Sequence, residues 1–197
     1  MEGAMAEPDD ADCIALMAQG NESALQMVCE RYRLRLWSYL WRQLDGNREL
    51  AEEALQDTYL GVWRGAEQFR GTAPVAVWIF RIAHHVAAKA RRDLQRRIGG
   101  QEVALNDEDE VVGSGDTASW ETAILERMTL TDALAQISPK HREVLELVGM
   151  QGFMPDEVAH ILDIAAGTVR SRLSYARVAL AKALHPVTST QEAVHER

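Results

Sequence analysis

Arg81, His85, Lys89, Arg92 and Arg96 follow one another at steps of four, four, three and four. At about 100° per residue, that spacing gathers them into one narrow helical stripe. Such a stripe can follow a phosphate backbone, releasing a condensed counterion with each phosphate it neutralises. A second set lies nearer the C-terminus: Thr168, Arg170, Ser171, Arg172, Tyr175 and Arg177 occupy the polar side of a stretch whose apolar positions Val169, Leu173, Ala176 and Leu180 recur at four, three and four. No acid occurs from Ala165 through Leu184, so this face is suited to the floor of a major groove. The third set has the opposite sign. Glu49, Glu52, Glu53, Gln56 and Asp57 form an acidic face beside the apolar stripe Ala51, Leu55, Tyr59 and Val62, a pattern that serves solubility or the docking of a basic partner.

Covalent chemistry finds no comparable arrangement. The sequence holds no phosphate-binding glycine loop, nucleophile elbow or metal-ligand cluster, and its carboxylates gather in tails, a linker and one helix face. His84 and His85 are adjacent, so their rings diverge and no metal site is expected. Cys13 and Cys29 show neither metal-ligand spacing nor disulfide density, which fits a reducing cytoplasm. Neither an enzyme nor a cofactor is expected. No apolar run nears the roughly 20 residues of a membrane span, and the first residues are acidic, so neither anchor nor signal peptide is expected.

The formal charge of −9 over 197 residues seems hostile to nucleic acid, but it is segregated. Five acids and no base stand between Met1 and Asp12, and eight acids and no base between Gln101 and Glu126. From Arg64 to Arg97 eight bases face two acids, Glu67 and Asp93. Free chain is therefore expected to bind DNA weakly while keeping local cationic surfaces.

Helices must position these sets, because helical periodicity runs through most of the chain and no stretch alternates apolar and polar residues for long. The expected fold is all-α, with two small helical domains joined by a flexible acidic linker. The expected divisions are an acidic tail over 1–15, a first module over 16–98, a linker over 99–119, a second module over 120–186 and a tail over 187–197. In the first module Leu34, Trp37, Trp41 and Leu44 share a face and are expected in the core, as are Trp78, Ile82 and Val86. In the second, Ser138 and Pro139 spell an N-cap and a first helical position. A short helix is expected from Pro155 to Leu162, with Val158, Ile161 and Leu162 inward. Asp163 to Ala166 form a tight connector, and a longer helix then carries the cationic face. This is a helix-turn-helix pattern, and on periodicity and charge alone it admits a dimeric operator-binding regulator as well as a plain helical hairpin.

The wording of the motifs narrows the choice. Gly167-Thr168-Val169-Arg170-Ser171-Arg172-Leu173, preceded by Arg142-Glu143-Val144-Leu145 and by Asp156 through Leu162, closely resembles region four of the extracytoplasmic-function sigma factors, a branch of the sigma-70 family. Leu50 through Tyr59, running on to Val62 and Trp63, resembles region two. In that family this helix binds the clamp helices of the largest polymerase subunit, which gives the acidic face Glu49, Glu52, Glu53, Gln56 and Asp57 its implied role. Phe69-Arg70-Gly71 and Trp78 through Ala83 resemble the segment that reads and opens the upstream edge of the transcription bubble. The implied contacts to the proximal (−10) element are Arg70, Gly71, Thr72, Ala73, Pro74, Arg81, His85, Lys89, Arg92 and Arg96. Those implied for the distal (−35) element are Thr168, Arg170, Ser171, Arg172, Tyr175 and Arg177.

The resemblance further implies core RNA polymerase (clamp of the largest subunit, flap of the second-largest), promoter DNA and an anti-sigma protein as partners. It has departures. Val75 and Ala76 stand where the family has an aromatic and an arginine, Leu50 where it has Asp, Asp163 where it has a turn glycine, and Ser174 and Tyr175 where it has a His-Arg pair.

Overall fold

A computed structural model describes residues 8–99, 133–134 and 136–184. Among them are seven α-helices and no strand: α1 (Asp10–Met17), α2 (Glu22–Gln43), α3 (Arg48–Gly65), α4 (Val75–Gly99), α5 (Pro139–Gly149), α6 (Pro155–Leu162) and α7 (Ala166–Leu184). A 3-10 turn, Ala66–Gln68, follows α3. The all-α expectation is met. The linker and both chain ends lie outside the described residues, as does the expected start of the second module at Trp120.

The first group of helices begins earlier than expected. Asp9 and Asp12 close a reciprocal capping box, Asp12 N–H donating to Asp9 Oδ1 at 2.8 Å. Asp10 pairs with Arg31 and accepts from the Tyr32 hydroxyl, while Cys13, Ile14 and Met17 are buried. The end of the expected acidic tail is thus a helix fixed to α2. Asn21 and Asn47 cap α2 and α3, accepting from the amides of Ala24 and Leu50 at 3.1 Å, which satisfies donors that a helix start otherwise leaves free.

Helix α2 presents a different face to the core from the one expected. Val28, Tyr32, Leu36, Tyr39 and Leu40 are buried, and Leu44 with them. Leu34 is 74% exposed and Trp41 38%, with Trp37 half-buried. Two apolar stripes compete along this helix, and the one winning the interior meets α1, α3 and α4 together. The two tryptophans lie against each other at 5.9 Å, and Trp41 roofs Gly46, whose positive φ of 75° turns the chain into α3.

Helix α4 is enclosed on two sides. Ile79, Phe80, Ala83 and Ala87 are fully buried. Trp78, Ile82 and Val86, the expected inner stripe, are only half-buried. Trp78 and Ile82 instead lie over glycines of α3: a Cβ at Gly61 would stand 2.8 Å from Ile82 Cγ2, and one at Gly65 2.9 Å from Trp78 Cζ2.

The second group follows the expected pattern. Pro139 opens α5 after Ser138, although the Ser138 hydroxyl meets the His141 ring at 2.9 Å rather than a backbone amide. Pro155 opens α6, with Glu157 accepting the Met154 amide at 2.8 Å. Val158, Ile161 and Leu162 are buried. Asp163 ends α6 at φ 57°, ψ 44°, the left-handed conformation that Asp tolerates better than most residues. The two groups meet where α6 packs on α4 and where α5 faces α2. Among the described residues no helix is long and apolar enough to cross a membrane.

Candidate nucleic-acid interface

Helix α7 begins three residues after the left-handed turn at Asp163 and crosses α6, whose apolar side supports it. Val169, Leu173 and Ala176 are buried, with Leu180 half-buried, and this anchors the polar side outward. Arg170, Ser171, Tyr175 and Arg177 are exposed, Thr168 and Arg172 half-buried. All six of the expected side chains therefore share one accessible side of one rigid helix. The Tyr175 ring, 66% exposed, lies 5.7 Å from the His141 ring, so α5 steadies it. Arg170 Nη1 stands 3.4 Å from Asp156 Oδ1; the pair is exposed, and a phosphate can replace the carboxylate at little cost.

The stripe on α4 is also outward: Arg81, His85, Lys89, Arg92 and Arg96 are all exposed. Its charge is smaller than its length suggests. Partial burial and the neighbouring His84 and Arg81 push the His85 imidazole below its ordinary value, leaving it neutral at neutral pH. Arg96 pairs with Asp93, and Arg81 Nη2 stands 3.4 Å from Asp163 Oδ1 in the turn before α7. Arg91, counted with this basic run, turns inward and donates to Gln43 Oε1 at 3.0 Å.

The loop ahead of α4 holds Arg70, Gly71, Thr72 and Pro74 exposed and Ala73 half-buried. Gly71 has φ 67° with nothing within 4 Å of its Cβ position, so the turn needs glycine for its backbone alone. Val75 is buried, and the Phe69 ring is held against Trp78 at 4.9 Å. On α3, Glu49, Glu52, Glu53, Gln56 and Asp57 are exposed together. Glu52 pairs with Arg48 at 2.9 Å. Glu53 and Asp57 line a groove between α3 and α4 together with Leu50, Ala54, Val86 and Lys89.

A further group of polar residues was not marked by spacing. Glu143 and Glu146, one turn apart on α5, are 8% and 1% exposed. Glu143 Oε1 accepts from the Tyr39 hydroxyl at 2.7 Å and meets His84 Nδ1 at 2.8 Å. Glu146 accepts from Arg42 Nε at 3.0 Å and Gln43 Nε2 at 3.1 Å. Beside them Arg35 Nη2 donates to the Gln151 carbonyl at 2.9 Å, and its guanidinium lies over Phe80 and Phe153, 5.2 and 5.3 Å from the ring centroids. Burial pushes the Glu143 carboxyl up, but His84, the Tyr39 hydroxyl and Arg91 outweigh it and hold the group below the usual carboxylate range. Burial dominates at Glu146, which is pushed up to about 7 despite Arg42 and Gln43. The signal in the sequence was two carboxylates beside Val144 and Leu147 on a helix with a strong apolar side. Their partners lie 59 to 104 residues away in sequence.

Comparison with known proteins matches both halves of this arrangement. The sigma-70 region 2 profile covers residues 28–97 and the sigma-70 region 4 profile residues 127–180. ECF RNA polymerase sigma factor SigL of Mycobacterium tuberculosis is 32% identical over 183 residues, 88% of this chain and 96% of the relative. SigM of the same organism is 33% identical over 182 residues, 92% of this chain and 88% of the relative. Among solved structures, CnrH in complex with the cytosolic domain of CnrY superposes with TM-score 0.64 at 20% identity, covering 91% of this chain and 99% of that one. The sigma factor RpoE, in complex with the anti-sigma factor NepR from Bartonella quintana, gives 0.61 at 23% identity, covering 83% and 97%.

Proposed function

The chain belongs to the extracytoplasmic-function sigma factors of the sigma-70 family, which are transcription initiation factors rather than catalysts, and from that membership we propose how its surfaces divide the work. The acidic side of α3, with Glu49, Glu52, Glu53, Gln56 and Asp57, docks on the clamp helices of core polymerase. The stripe on α4 and the loop Arg70 to Pro74 engage the −10 element, and Arg81, Lys89, Arg92 and Arg96 supply the charge. Each phosphate neutralised there steepens the salt dependence of log K by about 0.7 to 0.9. The outer side of α7 reads the −35 element as duplex, with Arg170, Arg172 and Arg177 as cations and Tyr175 as an apolar reader or phosphate donor. The second module docks near the flap of the second-largest subunit.

The observation that carries this reading is the acid-free side of α7 held outward on the second helix of a helix-turn-helix, in the same chain as an exposed acidic helix and a second cationic stripe. The loop contributes backbone and Arg70 rather than a stacking ring, because Val75 is turned inward. Control by an anti-sigma protein is part of the proposal, since one structural neighbour is a sigma factor in complex with an anti-sigma factor. The cytoplasm is the compartment in which polymerase would be met.

In vitro transcription with purified core polymerase and a genomic fragment library tests the assignment. New start sites sharing two spaced elements are expected; a start-site profile identical to that of core enzyme alone would overturn it. Arg170→Ala with Arg172→Ala should lower transcript yield while holoenzyme still forms. Glu53→Lys with Asp57→Lys should instead reduce co-purification with core polymerase, and unchanged retention would reject the α3 docking face.

A further inference from the structure

Helix α7 carries two large apolar side chains in the open. Tyr175 is 66% exposed and Val178 54%, on a helix whose inner side already buries Val169, Leu173 and Ala176. At about 100° per residue, Ser171, Tyr175, Val178 and Lys182 fall within about 60° of one another, on the side opposite that core, and all four are exposed. Arg170 and Arg177 stand about 120° to one side of this stripe and Arg172 about 90° to the other. The helix therefore offers an apolar centre between cationic edges.

In a major groove the phosphates line both walls and the base edges form the floor. Cations at the edges of a helix meet the walls and position it, and the residues between them meet the floor. Of the groups that distinguish base pairs on that floor, one is apolar, the C5 methyl of thymine. The Tyr175 ring is also held in place. The imidazole of His141, on α5, lies 5.7 Å from it at an interplanar angle of 31°, an offset-stacked arrangement, and His141 Nδ1 meets the Ser138 hydroxyl at 2.9 Å. That hydroxyl, which at a helix start ordinarily caps a backbone amide, makes no such bond here. Ser138 thus fixes the imidazole, and the imidazole limits the rotamers open to the tyrosine. A ring ordered beforehand loses less freedom on binding.

Resting on the reading above, that α7 enters the major groove of the −35 element, we propose that Tyr175 and Val178 form an apolar reader of thymine methyl groups and that His141 is the positioning residue that aims the tyrosine ring. The methyl, not a phosphate oxygen, is the partner of Tyr175, and the promoter carries thymine, on one strand or the other, where the ring touches the floor. An arginine at this position, as in the family pattern, would select acceptors such as guanine O6 and N7; tyrosine changes the preferred base. Specificity then comes from two helices, since His141 lies outside the recognition helix.

Replacing thymine by deoxyuridine removes the methyl and leaves the hydrogen-bonding edge unchanged. Holoenzyme assembled from the full chain and core polymerase is bound to a promoter duplex recovered from the fragment library, with each −35 thymine replaced in turn. At one or more thymines, uracil should weaken binding about fourfold, the worth of one buried methyl. With Tyr175→Ala and Val178→Ala the thymine-to-uracil ratio should fall to about one at the same positions, whereas Tyr175→Phe, which lacks only the hydroxyl, should keep it. His141→Ala should lower the ratio and His141→Phe, which keeps a ring behind the tyrosine, should restore it; a residue needed only for the fold of α5 would weaken thymine and uracil promoters equally. The proposal is overturned by a −35 element without thymine, by a ratio of about one at every thymine, by a ratio that Tyr175→Ala with Val178→Ala leaves unchanged, or by its loss in Tyr175→Phe. Failure of that double variant to assemble with core polymerase also overturns it, by placing the pair against protein. If Arg170→Ala with Arg172→Ala leaves dependence on the −35 element unchanged, α7 does not enter that element and the wider reading fails; if that pair abolishes the dependence while uracil is silent throughout, only the methyl reading fails.

Discussion

Two seams border the helices of the first module, and they differ in material. Toward α3 the contact is close and apolar: Gly61 and Gly65 let Ile82 and Trp78 approach to a distance that a Cβ would forbid. Toward α5 the contact is largely polar, built on Glu143 and Glu146 with His84 of α4 and Tyr39, Arg42 and Gln43 of α2, beside the ring pair Phe80 and Phe153. Glycine inside a helix costs about 1 kcal/mol relative to alanine, so its presence twice in α3 is offset by the close packing of Ile82 and Trp78. A buried carboxylate contributes little net stability because its desolvation offsets its attraction. What it supplies is selectivity for one seating without a permanent bond. The first seam builds a module, and the second seats one module on the other.

That contrast can be broken most severely at the glycines. Leucine at both Gly61 and Gly65 should overpack the α3–α4 contact at about 1–3 kcal/mol per site, less about 1 kcal/mol per site regained in helix propensity. The expected net loss is about 2–3 kcal/mol in denaturant unfolding, with the seam to α5 untouched in design. A loss below about 0.5 kcal/mol would mean that α3 and α4 separate easily, and the distinction between the seams would vanish.

At the polar seam, Tyr39→Phe keeps the ring among its neighbours, including Phe80 at 5.5 Å, and removes only the donor to Glu143. Leaving a buried carboxylate with one partner fewer should cost the closed form, in which the two modules are seated together, about 1–2 kcal/mol. Scattering should show a more expanded free chain, while the unfolding of the first module stays within about 0.5 kcal/mol of the unaltered protein. Loss of the first module's cooperative unfolding would assign Tyr39 to the permanent core instead.

How far the sequence disclosed this molecule depends on the range over which its causes act. Short-range causes were legible. Pro155 with Asp156 and Glu157 begins α6, Asp163 turns left-handed at its end, and the Val169, Leu173 and Ala176 stripe fixes which side of α7 faces out. The acidic side of α3 and the basic side of α4 were legible for the same reason, since one helix's periodicity determines both.

Helix α2 was not, because two apolar stripes run along it and only the position of α1, α3 and α4 decides between them; the preference of tryptophan for the interior pointed to the wrong one. Helix α1 was hidden by charge. Asp9, Asp10 and Asp12 read as a tail, although the first and last form a capping box and Asp10 serves Arg31 and Tyr32. Gly61 and Gly65 inside a helical pattern do carry a signal for close approach, though not for which side chains approach. The seam to α5 left only the two carboxylates beside Val144 and Leu147 as a local trace, since its bonds join residues 59 to 104 positions apart.

The smallest expected effect separates the seams by pH. The apolar contact has no titrating group, whereas Glu146, pushed up to about 7 by burial, faces Arg42 and Gln43 from α2, with Arg91 of α4 bonded to Gln43 and Glu143 on its own helix. A carboxyl whose value is raised on closing binds its proton more tightly in the closed form. The resulting stabilisation is complete below its ordinary value of 4.5 and is lost as pH rises through about 7. Between pH 8 and pH 6 the closed-to-open ratio should therefore rise about tenfold for this one proton. Glu143, held below the usual range, stays ionised throughout that interval and adds nothing to the slope. His84 also faces Glu143, so the contribution of Glu146 is isolated by comparison with Glu146→Gln, in which the slope should shrink while the seam keeps its shape. Scattering or a distance probe read across that interval checks it. Equal slopes in the two proteins would show that Glu146 is not the group titrating in the seam, and a slope of opposite sign would show that opening, not closing, takes up the proton.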